Sequence, residues 1–225
     1  MHYNCLIVDD EKELAKMTCE YLEVFGVSAR AVQTAQECFS FFEEHGADLL
    51  LLDINLEKES GFDICRRLRE KHELPILFIS ARDSDDDVLM ALHTGGDDYI
   101  KKPYSLSILL AKVKVILKRL EKSKQEAALV QTESFALHGE RLMLVMGERQ
   151  ISLKAREFAL LYCLYAHRGT IVTKEQLFAE VWGDAFYSDS TLNVHIRRLR
   201  EKIEENPNDP KLIRTVWGTG YILEL

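Results

Sequence analysis

The chain has 225 residues, of which 47% are hydrophobic, and a formal net charge of −8. That length suits two domains of ordinary size, each with enough apolar residues to bury a core, and no apolar run reaches the ~20 residues a membrane-spanning helix needs. The acidic balance argues against indiscriminate nucleic-acid binding, so any DNA contact must come from a local basic surface. Most of the acidic excess lies before Lys122, and the remainder is close to balanced. The N-terminus lacks the basic flank and long apolar stretch of a secretion signal, which leaves a cytoplasmic protein as the expectation. Cys5, Cys19, Cys38, Cys65 and Cys163 are odd in number and scattered. They read as core thiols in a reducing compartment rather than as disulfides or a metal site.

In the first half, strand and helix signals alternate. Residues 5–8 are a short apolar run, and Leu14, Met17, Tyr21 and Phe25 follow at helical spacing. Residues 27–32 read as a second strand, and Thr34 caps a helix carrying Cys38, Phe41 and Phe42. Residues 49–53 form an uninterrupted apolar strand ending in a carboxylate, and Ile64 and Leu68 mark the next helix. A fourth strand is predicted at 75–80, a helix around 88–92, a fifth strand at 98–101 and a last helix at 106–120. Unbroken apolar strands alternating with helices predict a doubly wound five-stranded parallel sheet, a flavodoxin-like α/β fold. The domains are predicted at 1–120 and 134–225, with the polar stretch 121–133 as linker. Beyond it the pattern changes to short strands broken at Gly139 and Gly147, then helices at 154–167, 174–182 and 190–204, then a strand, a Gly-Thr-Gly turn and a final strand. A small sheet, three helices and a terminal hairpin predict a smaller α+β winged helix-turn-helix.

Asp9 and Asp10 follow the first strand and Asp53 ends the third, so all three should meet at the C-terminal edge of the sheet. Clustered carboxylates repel one another unless a cation joins them, and hard oxygen ligands with room for water suit Mg²⁺. Ser80 and Lys102 follow the fourth and fifth strands and should reach the same edge, where a hydroxyl and an ammonium can hold phosphoryl oxygens. This is equipment for phosphoryl transfer to a carboxylate. In the second half, Leu192, Ile196, Leu199 and Ile203 share one helix face. The opposite face is expected to carry Ser190, Val194, Arg197, Arg198 and Glu201, with His195 and Lys202 flanking one side and Arg200 the other. Such a helix suits a DNA major groove.

The segments Val8-Asp9-Asp10-Glu11, Leu52-Asp53, Ser80-Ala81-Arg82 and Asp97-Asp98-Tyr99-Ile100-Lys101-Lys102-Pro103 resemble the receiver domain of two-component response regulators. The resemblance implies that Asp53 accepts phosphate from the phosphohistidine of a sensor histidine kinase. It implies that Asp10, Asp53 and the Asn55 carbonyl bind Mg²⁺ with Asp9 acting through water. It further implies that Ser80 and Lys102 contact the phosphoryl group, that Tyr99 rotates inward as Ser80 moves, and that the Lys102–Pro103 peptide is cis.

The second half resembles the OmpR/PhoB effector domain at residues 153–161, Val181-Trp182-Gly183, 191–199 and 215–221. Carried over by position, Val194, His195, Arg197, Arg198 and Arg200 would contact DNA from the recognition helix, and Thr215, Trp217, Thr219 and Tyr221 from the wing. Ser190 and Trp217 stand where that family often has arginine, and Thr215-Val216-Trp217-Gly218 resembles the wing of VanR-type regulators. The family's two-fold dimer implies a homodimer formed on phosphorylation and promoter DNA with repeated half-sites. Asp97, Asp98 and Lys112 fit the dimer face, whereas Val88 and His93 depart from its usual charges, which predicts a weaker or differently packed interface.

The resemblance describes a signalling transcription factor, not an enzyme beyond its own phosphoryl transfer. An aspartyl phosphatase would have a second Asp two residues after the first, where this chain has Asn55, and no sequence remains for a substrate cap. A DNA binder that no longer uses phosphate is disfavoured by the intact pocket, while the altered dimer face at Val88 and His93 leaves that alternative open. A pure protein-interaction module is opposed by the arginine face and the wing.

Overall fold

The computed structural model describes residues 1–81, 85–125, 130–132, 135–183 and 189–225. The chain forms two compact units, Met1–Lys118 and Arg119–Leu225. Strands β1 (His2–Val8), β2 (Ala29–Val32), β3 (Gly46–Asp53), β4 (Ile76–Ser80) and β5 (Asp98–Lys101) of the first alternate with helices α1 (Lys12–Val24), α2 (Ala35–Glu44), α3 (Gly61–Arg69), α4 (Asp85–Thr94) and α5 (Leu106–Gln125), the last of which runs on past Lys118. The strands lie in the order β2-β1-β3-β4-β5, and every pairing is parallel. Leu49 to Leu52 are all 0% exposed, because helices cover both faces of the sheet.

Local sequence sets several boundaries. The Thr34 hydroxyl accepts from the Glu37 N–H at 3.2 Å to open α2, and the Ser60 hydroxyl accepts from the Phe62 N–H to open α3. The Gly61 N–H donates to the Ile54 carbonyl, and a Cβ there would stand 2.1 Å from the Asp53 carbonyl oxygen. Only glycine lets the returning loop pass so close behind the third strand.

The second unit holds a four-stranded antiparallel sheet, β6 (Val130–Thr132), β7 (Phe135–His138), β8 (Met143–Met146) and β9 (Arg149–Ser152). Next come α6 (Ala155–Ala166), the short strand β10 (Val172–Thr173), and α7 (Lys174–Leu177), which runs into a π-helical turn at Phe178–Trp182. The helix α8 (Asp189–Ile203) precedes the hairpin β11 (Ile213–Val216) and β12 (Gly220–Leu223), which joins β10 in a three-stranded sheet. Gly218, at φ +73°, supplies the left-handed residue of the hairpin turn. The core gathers Phe158, Leu161, Leu164, Trp182, Leu192, Ile196 and Leu199.

Three differences from the sequence expectation stand out. The last helix of the first half continues to Gln125 rather than ending at 120, since its Lys, Glu and Gln residues are good helix formers despite their lost apolar period. Val130–Thr132, inside the expected linker, pairs with β7 as an edge strand. The helix expected at 174–182 changes from α to π geometry at Phe178.

Candidate functional site

Asp9 follows β1, and Asp53 closes β3, its neighbour in the sheet. The strand order reverses here, so the flanking connections diverge and leave a crevice at the C-terminal edge. Oxygens of Asp9, Asp10 and Asp53 lie within 4.8 Å of one another. Asp9 is 1% exposed and Asp53 is 4% exposed, while Asp10 is half-buried. A cleft of about 370 Å³ opens beside Asp10, walled by residues 33–36 and 56–59.

Lys102 enters from the end of β5. Its Nζ donates to Asp53 Oδ2 at 2.7 Å and to Glu11 Oε1 at 2.7 Å, and stands 2.9 Å from Asp9 Oδ2. The Lys102 N–H donates to the Ser80 carbonyl at 2.7 Å, which fixes the start of this arm against the fourth strand. Lys102–Pro103 is cis. Burial disfavours the ammonium, but the three carboxylates outweigh that cost and hold its pKa above the ordinary lysine value. For Asp9, burial dominates and raises the carboxyl pKa, opposed by Lys102 and by the Glu11 N–H, which donates to Asp9 Oδ1.

The remaining groups converge on Asp53. The Asn55 N–H donates to Asp53 Oδ1 at 2.9 Å, and the Asn55 amide donates to the Ser80 hydroxyl at 3.3 Å. The Glu57 N–H donates to Asp10 Oδ2, tying the loop after β3 to the second acidic residue. Ser80 is fully buried. The donor set fits a hard divalent cation: three carboxylates converge from two neighbouring strand ends, with an open side toward the cleft where water can remain. Tyr99 lies half-buried on β5. Arg82, part of the motif after β4, falls outside the described residues.

Glu11 was missed by the sequence reading as a partner of Lys102. A glutamate in the first turn before a helix looks solvated until the fifth strand is brought opposite the first. The Arg69–Asp97 pair was missed for the same reason. Arg69 Nη2 donates to Asp97 Oδ2 at 2.8 Å, and the same oxygen accepts from the Ile76 N–H. Asp97, expected on an outer dimer face, is therefore turned inward and 2% exposed. Asp98 is likewise buried and meets Lys112 Nζ at 3.2 Å within the chain.

In the second unit, α8 divides differently from its apolar periodicity. Val194 and His195, expected to face outward, are 5% and 0% exposed. The His195 ring packs edge-on to Trp182, with centroids 5.4 Å apart. The cause is a buried arc wider than one stripe, since both α6 and the Trp182 turn pack on α8. Arg197 is exposed and Arg198 half-buried.

Arg200 is half-buried and donates to the Ile213 carbonyl and to the Thr215 hydroxyl at 2.8 Å, with its guanidinium over the Tyr221 ring. Burial lowers its pKa, with Tyr221 and Glu204 opposing the shift. Arg200 and Thr215 thus bind the helix to the hairpin instead of lying free at its surface. Tyr221 is 4% exposed, and its hydroxyl donates to Asn193 Oδ1 at 2.8 Å. Thr219 is exposed, and Trp217 at the turn is 91% exposed. Glu204, which drew no attention in the sequence, is 8% exposed and accepts from the N–H groups of Lys211, Leu212 and Ile213. No helix among the described residues is long and apolar enough to cross a membrane.

A parallel sheet with an acidic, lysine-closed C-terminal edge, followed in the chain by a winged helical unit, defines a two-unit regulatory protein. Residues 5–114 match the family described as the response regulator receiver domain, and residues 147–223 the one described as the C-terminal part of transcriptional regulatory proteins. The chain is 38% identical over 227 residues to the regulatory protein VanR of Enterococcus faecium, covering 97% of each. It is 37% identical to the sensory transduction protein RegX3 of Mycolicibacterium smegmatis, covering 97% of this chain and 98% of that one. Its fold is similar to that of DrrB, an OmpR/PhoB homologue of Thermotoga maritima, at a TM-score of 0.54, 29% identity and full coverage of both chains. The chain belongs to the OmpR/PhoB family of two-component response regulators, which are signalling transcription regulators rather than enzymes.

Proposed function

We propose that Asp53 is the phosphoryl acceptor, taking phosphate from a sensor histidine kinase in the cytoplasm, and that this controls how the second unit binds promoter DNA. The observation that carries the reading is the bonding of Asp53, with one carboxylate oxygen on Lys102 and the other on the Asn55 N–H. The carboxylate is oriented for attack, and Lys102 is placed to receive charge on the transferring group.

The acceptor step forms a bond between an Asp53 oxygen and phosphorus and breaks the bond from phosphorus to the donor nitrogen. Asp9, Asp10, Asp53 and the Asn55 carbonyl would hold Mg²⁺, which supplies charge neutralisation between carboxylates and phosphoryl oxygens. Ser80, within reach of the Asn55 amide, would exchange that contact for a phosphoryl oxygen, and Tyr99 would follow it inward.

On DNA, Arg197 and Arg198 would make the charged contacts of the recognition helix, with Trp217 and Thr219 touching sugar or backbone from the wing. Val194 and His195 are withdrawn from this role by their burial. Arg200, Thr215 and Tyr221 serve by holding helix and wing together. Phosphorylation would yield a dimer matching repeated half-sites, with Lys112 beside the contact surface rather than Asp97 at its centre.

The test is labelling of the full chain with a small phosphodonor and Mg²⁺, followed by sedimentation with and without a phosphate mimic. Phosphate labile to base and hydroxylamine on the wild type but not on Asp53→Ala, with a doubled mass in the mimic, is expected. Undiminished labelling of Asp53→Ala would overturn the acceptor assignment, and an unchanged monomer mass would overturn the dimer.

A further inference from the structure

Outside the acidic pocket, one other group of ligand-bearing side chains meets among the described residues. Cys163 and His167 are one helical turn apart at the end of α6, and Glu180 faces them from the π-helical turn. One ligand atom from each lies within 4.8 Å of the other two. The Cys163 Sγ is 3.2 Å from Glu180 Oε2, and His167 Nε2 is 4.0 Å from Glu180 Oε1. We infer that this thiol, imidazole and carboxylate form a binding site for a borderline-soft divalent metal of the Zn²⁺ class, with one coordination position left open.

Three observations support the site. First, the donor set is mixed in the way Zn²⁺ accepts, and ligand lengths of about 2.0–2.3 Å in a tetrahedron place ligand atoms roughly 3.3–3.6 Å apart. The 3.2 and 4.0 Å separations bracket that span, and the third pair lies within 4.8 Å.

Second, the imidazole is already oriented. His167 Nδ1 lies 3.0 Å from the Cys163 carbonyl, which accepts only from a protonated nitrogen. That contact puts the lone pair on Nε2, facing Glu180, and an outer hydrogen bond of this kind is how metal-binding histidines are held.

Third, the Gln176 side-chain amide lies 3.1 Å from His167 Nε2 and 2.9 Å from Glu180 Oε1. A neutral donor thus occupies the point on which two of the ligands converge, as a cation would.

Binding would break the Cys163 S–H bond and form a metal–sulfur bond, with the proton released to solvent. The site lies in the segment leading from α6 toward α8, so an ion there would clamp α6 to the turn that packs on the recognition helix. Sequence spacing alone conceals it, because Glu180 is far from the other two along the chain.

The probe is Co²⁺, titrated into the full chain with excess Mg²⁺ to occupy the acidic pocket. A thiolate-to-cobalt charge-transfer band that saturates at one ion per chain and is removed by Zn²⁺ is expected. Cys163→Ser should abolish the band, and Glu180→Gln, at an exposed position with little folding risk, should weaken Co²⁺ affinity by about tenfold or more. Absence of the band in the wild type, its persistence in Cys163→Ser, or unchanged affinity in Glu180→Gln would each overturn the site. Should Cys163→Ser not fold, Glu180→Gln and His167→Gln decide the matter.

Discussion

The acidic pocket and the outer face of α8 both gather charge at the edge of a domain, yet the physics of the two is opposite. Lys102 is desolvated and held by three carboxylates at 2.7–2.9 Å, so each of its partners bears on the others. Arg197 is exposed, and its 3.0 Å pair with Glu201 is open to water on both sides, a contact worth about 0–1 kcal/mol. The first arrangement is a tightly coupled cluster that tolerates little change, as the proposed reaction centre requires. The second is a loosely held charge, free to leave its neighbour for a phosphate.

The sharpest way to break this contrast is to disturb the backbone behind the pocket. Gly61→Ala would drive a Cβ toward the Asp53 carbonyl oxygen and push away the loop that carries Asn55. A more than about tenfold loss of labelling rate is expected, together with receiver destabilisation of roughly 1–3 kcal/mol by overpacking. Wild-type labelling and melting would show that the pocket is softer than its contacts imply. DNA binding by the unphosphorylated variant should change far less.

Next in size is Glu204→Gln. Its carboxylate holds three successive backbone N–H groups at the root of the wing, and an amide would turn a donor toward donors. A loss of about 1–3 kcal/mol in effector-domain stability is expected from denaturant melts, with labelling of Asp53 unaffected. If labelling fell as well, the two units would be coupled more tightly than their separate cores suggest.

The smallest effect on folding is expected at Trp217. At 91% exposure, Trp217→Ala should alter stability by no more than about 0.5 kcal/mol, while lowering promoter affinity without changing the salt slope of binding. A salt slope reduced to the same extent as in Arg197→Ala would contradict a sugar-packing role.

The same contrast explains what is legible in the residues. Asp9, Asp53, Ser80 and Lys102 can be placed together because each lies at or just after a strand end, and a parallel doubly wound sheet sends all strand ends to one edge. A common strand direction suffices for that placement, and the alternation of unbroken apolar runs with helices implies it. The recognition helix offers no such constraint. Its apolar period locates one buried stripe through Leu192, Ile196, Leu199 and Ile203, but the arc that a helix buries depends on how many neighbours lie against it. That one stripe leaves Val194, His195 and Arg200 off the buried face, yet Val194 is buried, His195 packs on the Trp182 turn and Arg200 is held by the hairpin.

By itself, then, the amino-acid order determined the alternation of elements, the parallel sheet, the change to a winged unit, and the acidic edge with its lysine. These follow from period, strand ends and turn residues, all of them local along the chain. The tertiary structure alone decided the Lys102–Glu11 and Arg69–Asp97 pairs, the inward turn of His195, the anchoring of the wing by Glu204, and the meeting of Cys163 and His167 with Glu180. Each of these joins residues from separate elements, and a side chain's partner across such a gap is set by packing geometry, which no local pattern encodes.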